Sequence, residues 1–86
     1  MLLSMSIFAE FQAYKESKGC FDCEVKYPHY VLEFDHRPGN KKIDVVYRVL
    51  KKFGREAAWN EVRKCDVVCS NCHKIRTYER EQRASR

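Results

Sequence analysis

Apolar side chains recur every three or four positions near the N-terminus, which is the spacing of one buried helical face. The face is formed by Ile7, Phe8, Phe11 and Tyr14. This pattern predicts a helix over residues 4–17, and Gly19 ends it because glycine commonly terminates helices. We expect the face to pack into the core, and a homodimer contact through this N-terminal helix is the secondary interpretation.

The middle of the chain has the pattern of extended strands. Residues 30–35 are rich in β-branched and aromatic side chains and predict one strand. The turn signal Pro38-Gly39-Asn40 follows this strand. Residues 41–46 then predict the return strand of a two-stranded antiparallel hairpin.

Helical spacing returns in the second half of the chain. Four further elements are predicted there: short helices over residues 47–53 and 56–64, an extended segment at 66–68 and a basic helix over 73–83. We therefore expect a single α+β domain over residues 1–86, with its core at residues 20–79 and a basic tail to residue 86.

Composition indicates a folded domain that needs extra stabilisation. The 86 residues are 44% hydrophobic and 34% charged, which is typical of globular rather than disordered proteins. A core this small is commonly stabilised by a metal or by disulfides. Neither a membrane-spanning segment nor a secretory signal is indicated, so we expect a cytoplasmic protein without a membrane partner.

Two Cys-x-x-Cys pairs carry the strongest chemical signal. The pairs are Cys20 with Cys23 and Cys69 with Cys72, separated by 45 residues. In a reducing compartment, four thiolates from two such turns are typical of a closed structural Zn²⁺ site, which has no open position for catalysis. Two disulfides, a redox-active pair and an iron site are the alternatives. Cys65 lies outside this spacing and is expected to fill the core.

Charge is distributed unevenly along the chain. Residues 1–36 carry three basic and six acidic side chains, whereas residues 37–86 carry 14 basic and six acidic ones. The second part, with a net charge of +8 against −3 in the first, suits a polyanion such as nucleic acid. A solvated basic surface without a partner is the plainer interpretation.

Three residues are candidates for chemistry: Asp35, His36 and His73. The first two end the predicted strand, and His73 directly follows the last cysteine of the predicted zinc site. Aspartate with neutral histidine suits a divalent metal acting on phosphate, and a histidine off the metal can deprotonate water near neutral pH. Taken singly, such an aspartate commonly caps a turn and a lone histidine commonly lies on a polar surface.

The segments that carry these residues resemble a known family. Residues 32–39 have the sequence Leu-Glu-Phe-Asp-His-Arg-Pro-Gly, and residues 61–77 contain the Cys-x-x-Cys-His motif. Together they resemble the HNH endonucleases, also called His-Me finger or ββα-metal nucleases. Within that group, the similarity is to the zinc-stabilised members related to phage endonuclease VII, and it spans about residues 20–79.

The resemblance implies a ββα-metal motif in a metal-dependent DNA endonuclease of bacterial or phage origin. Asp35 and His73 would hold one catalytic Mg²⁺ or Mn²⁺, and His36 would act as the general base. The side chains implied to contact the DNA backbone are Arg37, Lys74 and Arg76. Cleavage would leave 5′-phosphate and 3′-hydroxyl ends.

Two features depart from the family pattern. The family's central Asn, which orients the general base, corresponds to Lys64; Asn60 and Asn71 are the candidates for its role, with Asn60 placed in the catalytic set. Adjacent residues of a regular strand face opposite sides, so convergence of Asp35 and His36 requires the strand to end or bend at Asp35; a straight ladder that continues through Arg37 would count against the catalytic interpretation. The alternatives to an enzyme are a non-catalytic zinc module that binds nucleic acid and a zinc-stabilised protein-interaction module.

Overall fold

The computed structural model describes residues 6–85, in which four α-helices and two β-strands form a small α+β domain. In chain order the elements are α1 (Ile7–Lys18), a 3₁₀ turn (His29–Val31), β1 (Leu32–His36), α2 (Val46–Phe53), α3 (Arg55–Val62), β2 (Cys65–Cys69) and α4 (Ser70–Ala84). None of the helices within residues 6–85 has the length and apolar character needed to cross a membrane.

Helix α1 begins and ends on clear local signals. Ser6 is its N-cap, and the Ser6 hydroxyl accepts the Ala9 N–H at 3.1 Å. Gly19 ends the helix with a φ of 68°, a left-handed conformation that glycine adopts at little cost. Residues 4 and 5 of the predicted helix lie outside the described residues, and its C-terminal end differs from the prediction by one residue.

The two strands are not neighbours in sequence. β1 pairs antiparallel with β2, from Leu32 opposite Cys69 to His36 opposite Cys65. Helices α2 and α3 lie between the strands along the chain. β2 suits a place in the core because all of its residues except Asp66 are buried.

The predicted return strand at residues 41–46 is wrong. Ile43 is 59% exposed and Val45 is 44% exposed, so alternate positions of this segment form no buried strand face. Val46 is buried, but it starts helix α2. The turn signal at residues 38–40 therefore begins a connection to α2 rather than a tight hairpin.

β1 continues past the position at which the nuclease resemblance requires a bend. Asp35 pairs with Asp66 in the ladder, and beyond the last pair the Arg37 N–H donates to the Lys64 carbonyl at 2.9 Å. The expectation that the strand ends or bends at Asp35 is therefore wrong. Because the strand stays regular, Asp35 faces α4 and His36 faces α3.

Two apolar clusters form the core, and they share Tyr14 and Phe34. One cluster surrounds the cysteines at the end of the sheet, and the other packs α1, α2 and α3 around Phe11. The Phe11 side chain is fully buried. Its ring contacts three other rings at centroid distances of 4.8 to 5.9 Å, those of Phe34, Tyr47 and Trp59.

Helix α4 begins inside the second cysteine pair. The pair is predicted as a separate tight turn, but in the structure Ser70 already starts the helix and Cys69 is its N-cap. The Cys69 sulfur accepts the Cys72 N–H at 3.4 Å. The helix therefore presents His73 at the end of its first turn, directly beside the cysteine cluster.

Replacement of Phe11 tests the second cluster. We expect Phe11→Ala to lower the free energy of unfolding by about 3–5 kcal/mol, because it removes a fully buried ring from a close-packed site. Phe53→Ala is the matched control, since Phe53 is exposed and should change stability by less than about 0.5 kcal/mol. Urea denaturation of both variants measures the difference, and equal losses would contradict this account of the core.

Candidate functional site

The four cysteines of the two pairs converge at one end of the sheet. Their sulfur atoms all lie within 4.8 Å of one another. A tetrahedral Zn²⁺ with Zn–S bonds of about 2.3 Å places its sulfurs about 3.8 Å apart, so the cluster is arranged to hold a metal ion of this kind. All five cysteines within residues 6–85 are free thiols, which disfavours the alternative of two disulfides.

Each Cys-x-x-Cys turn points a backbone N–H at its first sulfur. Cys23 N–H lies 3.5 Å from Cys20 Sγ, and Cys72 N–H lies 3.4 Å from Cys69 Sγ. Burial opposes ionisation of Cys20, but hydrogen bonds from the backbone of Cys23 and Cys69 outweigh it and lower its pKa to about 6. The hydrogen bond with the Cys69 thiol, followed by burial, raises the pKa of Cys72 to about 12. The Cys72 thiol therefore keeps its proton at neutral pH unless the cluster binds a cation.

Cys65 lies outside the cluster, in agreement with its spacing. Its thiol is buried and donates to the Glu61 carbonyl oxygen at 3.4 Å. Burial, followed by the negative charges of Glu61 and Asp35, raises the pKa of Cys65 to about 11. The thiol therefore stays protonated at neutral pH, where it neither binds a metal nor acts as a nucleophile.

Zinc content tests the cluster. We expect one Zn²⁺ per chain in the purified protein, and we expect Cys69→Ser to lose it and to unfold, because metal binding contributes folding free energy. Elemental analysis and circular dichroism measure the two outcomes. Cys65→Ser is the matched control: it also removes a buried thiol but should retain the metal. A Cys69→Ser variant that keeps its full zinc content would contradict the assignment.

β1 directs Asp35 towards arginines on α4. The Asp35 side chain is 5% exposed and accepts hydrogen bonds from Arg80 at 2.9 Å and from Arg76 at 2.8 Å. Burial opposes its ionisation, but the hydrogen bonds from Arg80 and then Arg76 outweigh burial and hold its pKa below the ordinary value. Asp35 is therefore a buried carboxylate that stays ionised.

His73 lies beside Asp35 and has a carboxylate at each ring nitrogen. Its Nε2 is 3.3 Å from Asp35 Oδ1, and its Nδ1 is 2.7 Å from Glu33 Oε1. A neutral imidazole has only one N–H, so both contacts are satisfied only by a second proton or by a cation next to Nε2. A carboxylate on the far nitrogen is the usual partner of a metal-binding histidine.

His36 contacts α3 on the opposite face of β1. Its Nε2 lies 2.7 Å from Glu61 Oε2. Glu61 is fully buried and also accepts the Ile43 N–H at 3.0 Å and the Lys64 ammonium at 2.9 Å. Burial opposes ionisation of Glu61, but Lys64, Ile43 and His36 together lower its pKa. An ionised Glu61 keeps the N–H of His36 on Nε2 and leaves Nδ1 able to accept a proton.

One cleft contains all three side chains predicted to carry the chemistry. It has a volume of about 330 Å³. Its lining residues are Phe34, Asp35, His36, Lys42, Val45, Val46, His73 and Arg80. The structure thus brings Asp35, His36 and His73 to a common space although the strand between the first two is regular.

Glu61 is the neighbour of His36 that the sequence analysis missed. Asn60, the candidate for an orienting residue, accepts a hydrogen bond from Arg63 instead. Asn71 is exposed in the first turn of α4. A signal for Glu61 exists in the sequence, because it follows Ala58 by three residues and so lies on the buried face of α3. An acidic side chain at such a position indicates a buried partner.

The three side chains predicted to contact a nucleic-acid backbone have different surroundings. Arg37 donates to the Cys65 carbonyl at 2.9 Å and to the Arg63 carbonyl. Arg76 is held by three carboxylates, those of Asp22, Asp35 and Asp66. Lys74 is exposed and lines a groove beside His73. Of the three, Lys74 is the best placed for an external anion.

Comparisons with protein-family models, curated proteins and solved structures give no match for this chain. Its function is therefore inferred from two features of its own geometry. One is a cluster of four thiols arranged for a metal ion, and the other is a cleft that joins an ionised Asp35, His73 and the Glu61-bound His36.

Proposed function

We propose that this protein is a metal-dependent DNA endonuclease of the HNH type. The observation that carries the proposal is the cleft in which His36, bonded to a buried Glu61, lies near the Asp35–His73 pair. Metal-dependent hydrolysis of a phosphodiester uses a base and metal-binding side chains in one place. A module that only binds nucleic acid has no need for either arrangement.

Asp35 and His73 fit a small divalent ion. Their ligand atoms are 3.3 Å apart, and adjacent ligands of an octahedral Mg²⁺ at about 2.1 Å lie about 3.0 Å from each other. Mg²⁺ commonly uses one or two protein ligands and retains several waters, so a pair suffices. When bound, Mg²⁺ or Mn²⁺ would supply Lewis-acid stabilisation of the scissile phosphate and the leaving oxygen. Glu33 orients the imidazole so that Nε2 faces this position.

His36 is the proposed general base. With Nε2–H bonded to Glu61, Nδ1 accepts a proton from the water that attacks phosphorus. The bond to the 3′ oxygen breaks in line, and the leaving oxygen takes a proton from solvent. The products are a 5′-phosphate and a 3′-hydroxyl end. Glu61 stabilises the imidazolium that forms, as a carboxylate does for the histidine of a catalytic triad.

The proposed ββα-metal motif consists of β1, β2 and α4. β1 contributes Asp35 and His36, and α4 contributes His73. The cysteine cluster, proposed to bind Zn²⁺, holds the start of α4 against the end of β2. The zinc would therefore be structural, and a second, exchangeable metal would act in the cleft.

DNA contacts are assigned to basic side chains near the cleft. Lys42 lines the cleft itself, and Lys74 is exposed beside His73. Arg37 is the third assigned contact: its side chain is 41% exposed, although it also pairs with Asp66 at 3.4 Å. Arginine and lysine at such positions suit phosphate oxygens rather than base edges, so we expect weak sequence specificity.

A non-catalytic, zinc-stabilised nucleic-acid-binding module is the second candidate function. One observation favours it: Arg76 and Arg80 already neutralise Asp35. Plasmid nicking in Mg²⁺ or Mn²⁺ separates the two candidates. DNA binding without nicking in either metal would reject the nuclease and support the module.

Replacement of His36 tests the base. We expect His36→Ala to lower the nicking rate by about 10²- to 10⁴-fold, because the attacking water loses its proton acceptor. Zinc content and DNA affinity in a gel-shift assay should stay unchanged. His29→Ala is the matched control, since His29 lies in the 3₁₀ turn and should leave the rate unaltered. Nicking by His36→Ala at the wild-type rate would disprove the assignment.

Replacement of Glu61 tests the orientation of the base. We expect Glu61→Gln to lower the rate by at least about tenfold, since the imidazolium loses its carboxylate partner. In the His36→Ala background, Glu61→Gln should lower the rate no further, because its effect passes through His36. Glu56→Gln, the same change at an exposed position of the same helix, should leave the rate unaltered. Equal losses from Glu61→Gln in both backgrounds would assign Glu61 a structural role only.

A further inference from the structure

The Asp35 carboxylate accepts three hydrogen bonds, all from arginines, and its remaining lone pair on Oδ1 faces His73. Oδ1 accepts from Arg80 Nη1 at 2.9 Å and lies 3.3 Å from His73 Nε2. Oδ2 accepts from Arg80 Nη2 at 2.9 Å and from Arg76 Nη1 at 2.8 Å. A divalent ion at that lone pair would share Oδ1 with the Arg80 guanidinium, and repulsion between the two positive charges favours the departure of an arginine when the ion binds.

The two arginines differ in how firmly they are held. Arg76 also bonds to Asp22 at 2.6 and 2.7 Å and to Asp66 at 3.0 Å, and its side chain is 15% exposed. It therefore connects the first cysteine turn to both strands. Within residues 6–85, Arg80 forms ion pairs with Asp35 alone, and its side chain is 34% exposed. Arg80 is the donor that can leave without breaking other contacts.

We infer that Arg80 is the exchangeable counter-ion of Asp35 and sets the affinity of the cleft for a divalent cation. This inference rests on the proposed function, since it takes Asp35 and His73 as the ligands of that cation. A buried carboxylate requires a positive partner, and here the divalent cation replaces the Arg80 guanidinium as the partner of Asp35. The bidentate guanidinium–carboxylate pair is strong, so the cation binds against a substantial opposing interaction.

A second cleft lies beside the Arg80 guanidinium and can receive it once it leaves Asp35. Arg80 lines the cleft that holds Asp35 and His73, and it also lines a second cleft with His36, Pro38 and Arg83. A phosphate near His36 would therefore be within reach of the freed side chain and would accept its hydrogen bonds. Because the phosphate takes up Arg80, cation binding and DNA binding strengthen each other, and this coupling is reciprocal.

Mn²⁺ titration of the zinc-loaded protein, followed by electron paramagnetic resonance of free Mn²⁺, tests the inference without measuring activity. We expect Arg80→Ala to bind Mn²⁺ about tenfold more tightly than the wild type, or ~1.4 kcal/mol. Arg83→Ala removes the same charge from the same helix but makes no ion pair with Asp35, so its affinity should change by less than about threefold. Arg80→Lys keeps the charge without the bidentate contact and should lie between the wild type and Arg80→Ala.

The outcomes distinguish this inference from the proposed function. Equal increases in Mn²⁺ affinity in Arg80→Ala and Arg83→Ala would overturn the inference, because the effect would then come from net charge alone. Asp35→Asn should lose Mn²⁺ binding; if it binds as the wild type does, the metal site and the proposed function both fail. If Asp35→Asn loses Mn²⁺ binding while neither Arg80 variant binds Mn²⁺ more tightly than the wild type, only the role assigned to Arg80 is wrong. Zinc content and melting temperature establish that each variant is folded, and Arg80→Lys replaces Arg80→Ala as the deciding variant if the latter does not fold.

Discussion

Convergence of the two cysteine turns is the constraint on which the rest of the structure depends. One turn follows the end of α1 and the other joins β2 to α4, so their four sulfurs bring together segments that are far apart in sequence. The fraction of surface buried on folding falls with chain size, so a small domain gains from a direct link between such segments. The cysteine cluster also fixes the orientation of α4 about its own axis. His73, Arg76 and Arg80 follow at helical spacing on one face, and that face meets β1.

The register of the sheet then divides the charged groups between its two faces. Asp35 faces α4 and meets guanidinium groups, whereas His36 faces α3 and meets Glu61. Both carboxylates are buried, and both have cationic or N–H partners that keep them ionised. The consequence is two prearranged polar sites separated by one strand. Most members of each site come from packed helices and the ladder, and the connection to α2 adds the Ile43 N–H to the Glu61 site.

Local patterns in the sequence predicted the elements better than their pairing. The spacing of the cysteines predicted the cluster, and the apolar positions around Phe11 predicted the face of α1 that enters the core. Alternation is a local signal and favours a return strand at residues 41–46. The true partner, β2, lies beyond two helices, and its buried side chains place it beside β1. The same limit applies to the site. The motif indicated Asp35, His36 and His73, but Glu61 and Arg80 become neighbours of these residues only through tertiary packing.

The regular course of β1 bears directly on whether the groups of the proposed reaction can meet. In residues 6–85 the sheet has two strands, so β1 pairs along one edge and leaves the other unpaired. The cleft lined by Asp35, His36 and His73 also has Lys42 and Val45 of the connection to α2 on its wall. The three side chains therefore share a space, although Asp35 and His36 leave β1 on opposite faces. In-line attack requires the water and the leaving oxygen on opposite sides of phosphorus, so the straight ladder counts against the catalytic interpretation unless a phosphate in this cleft reaches both faces of β1.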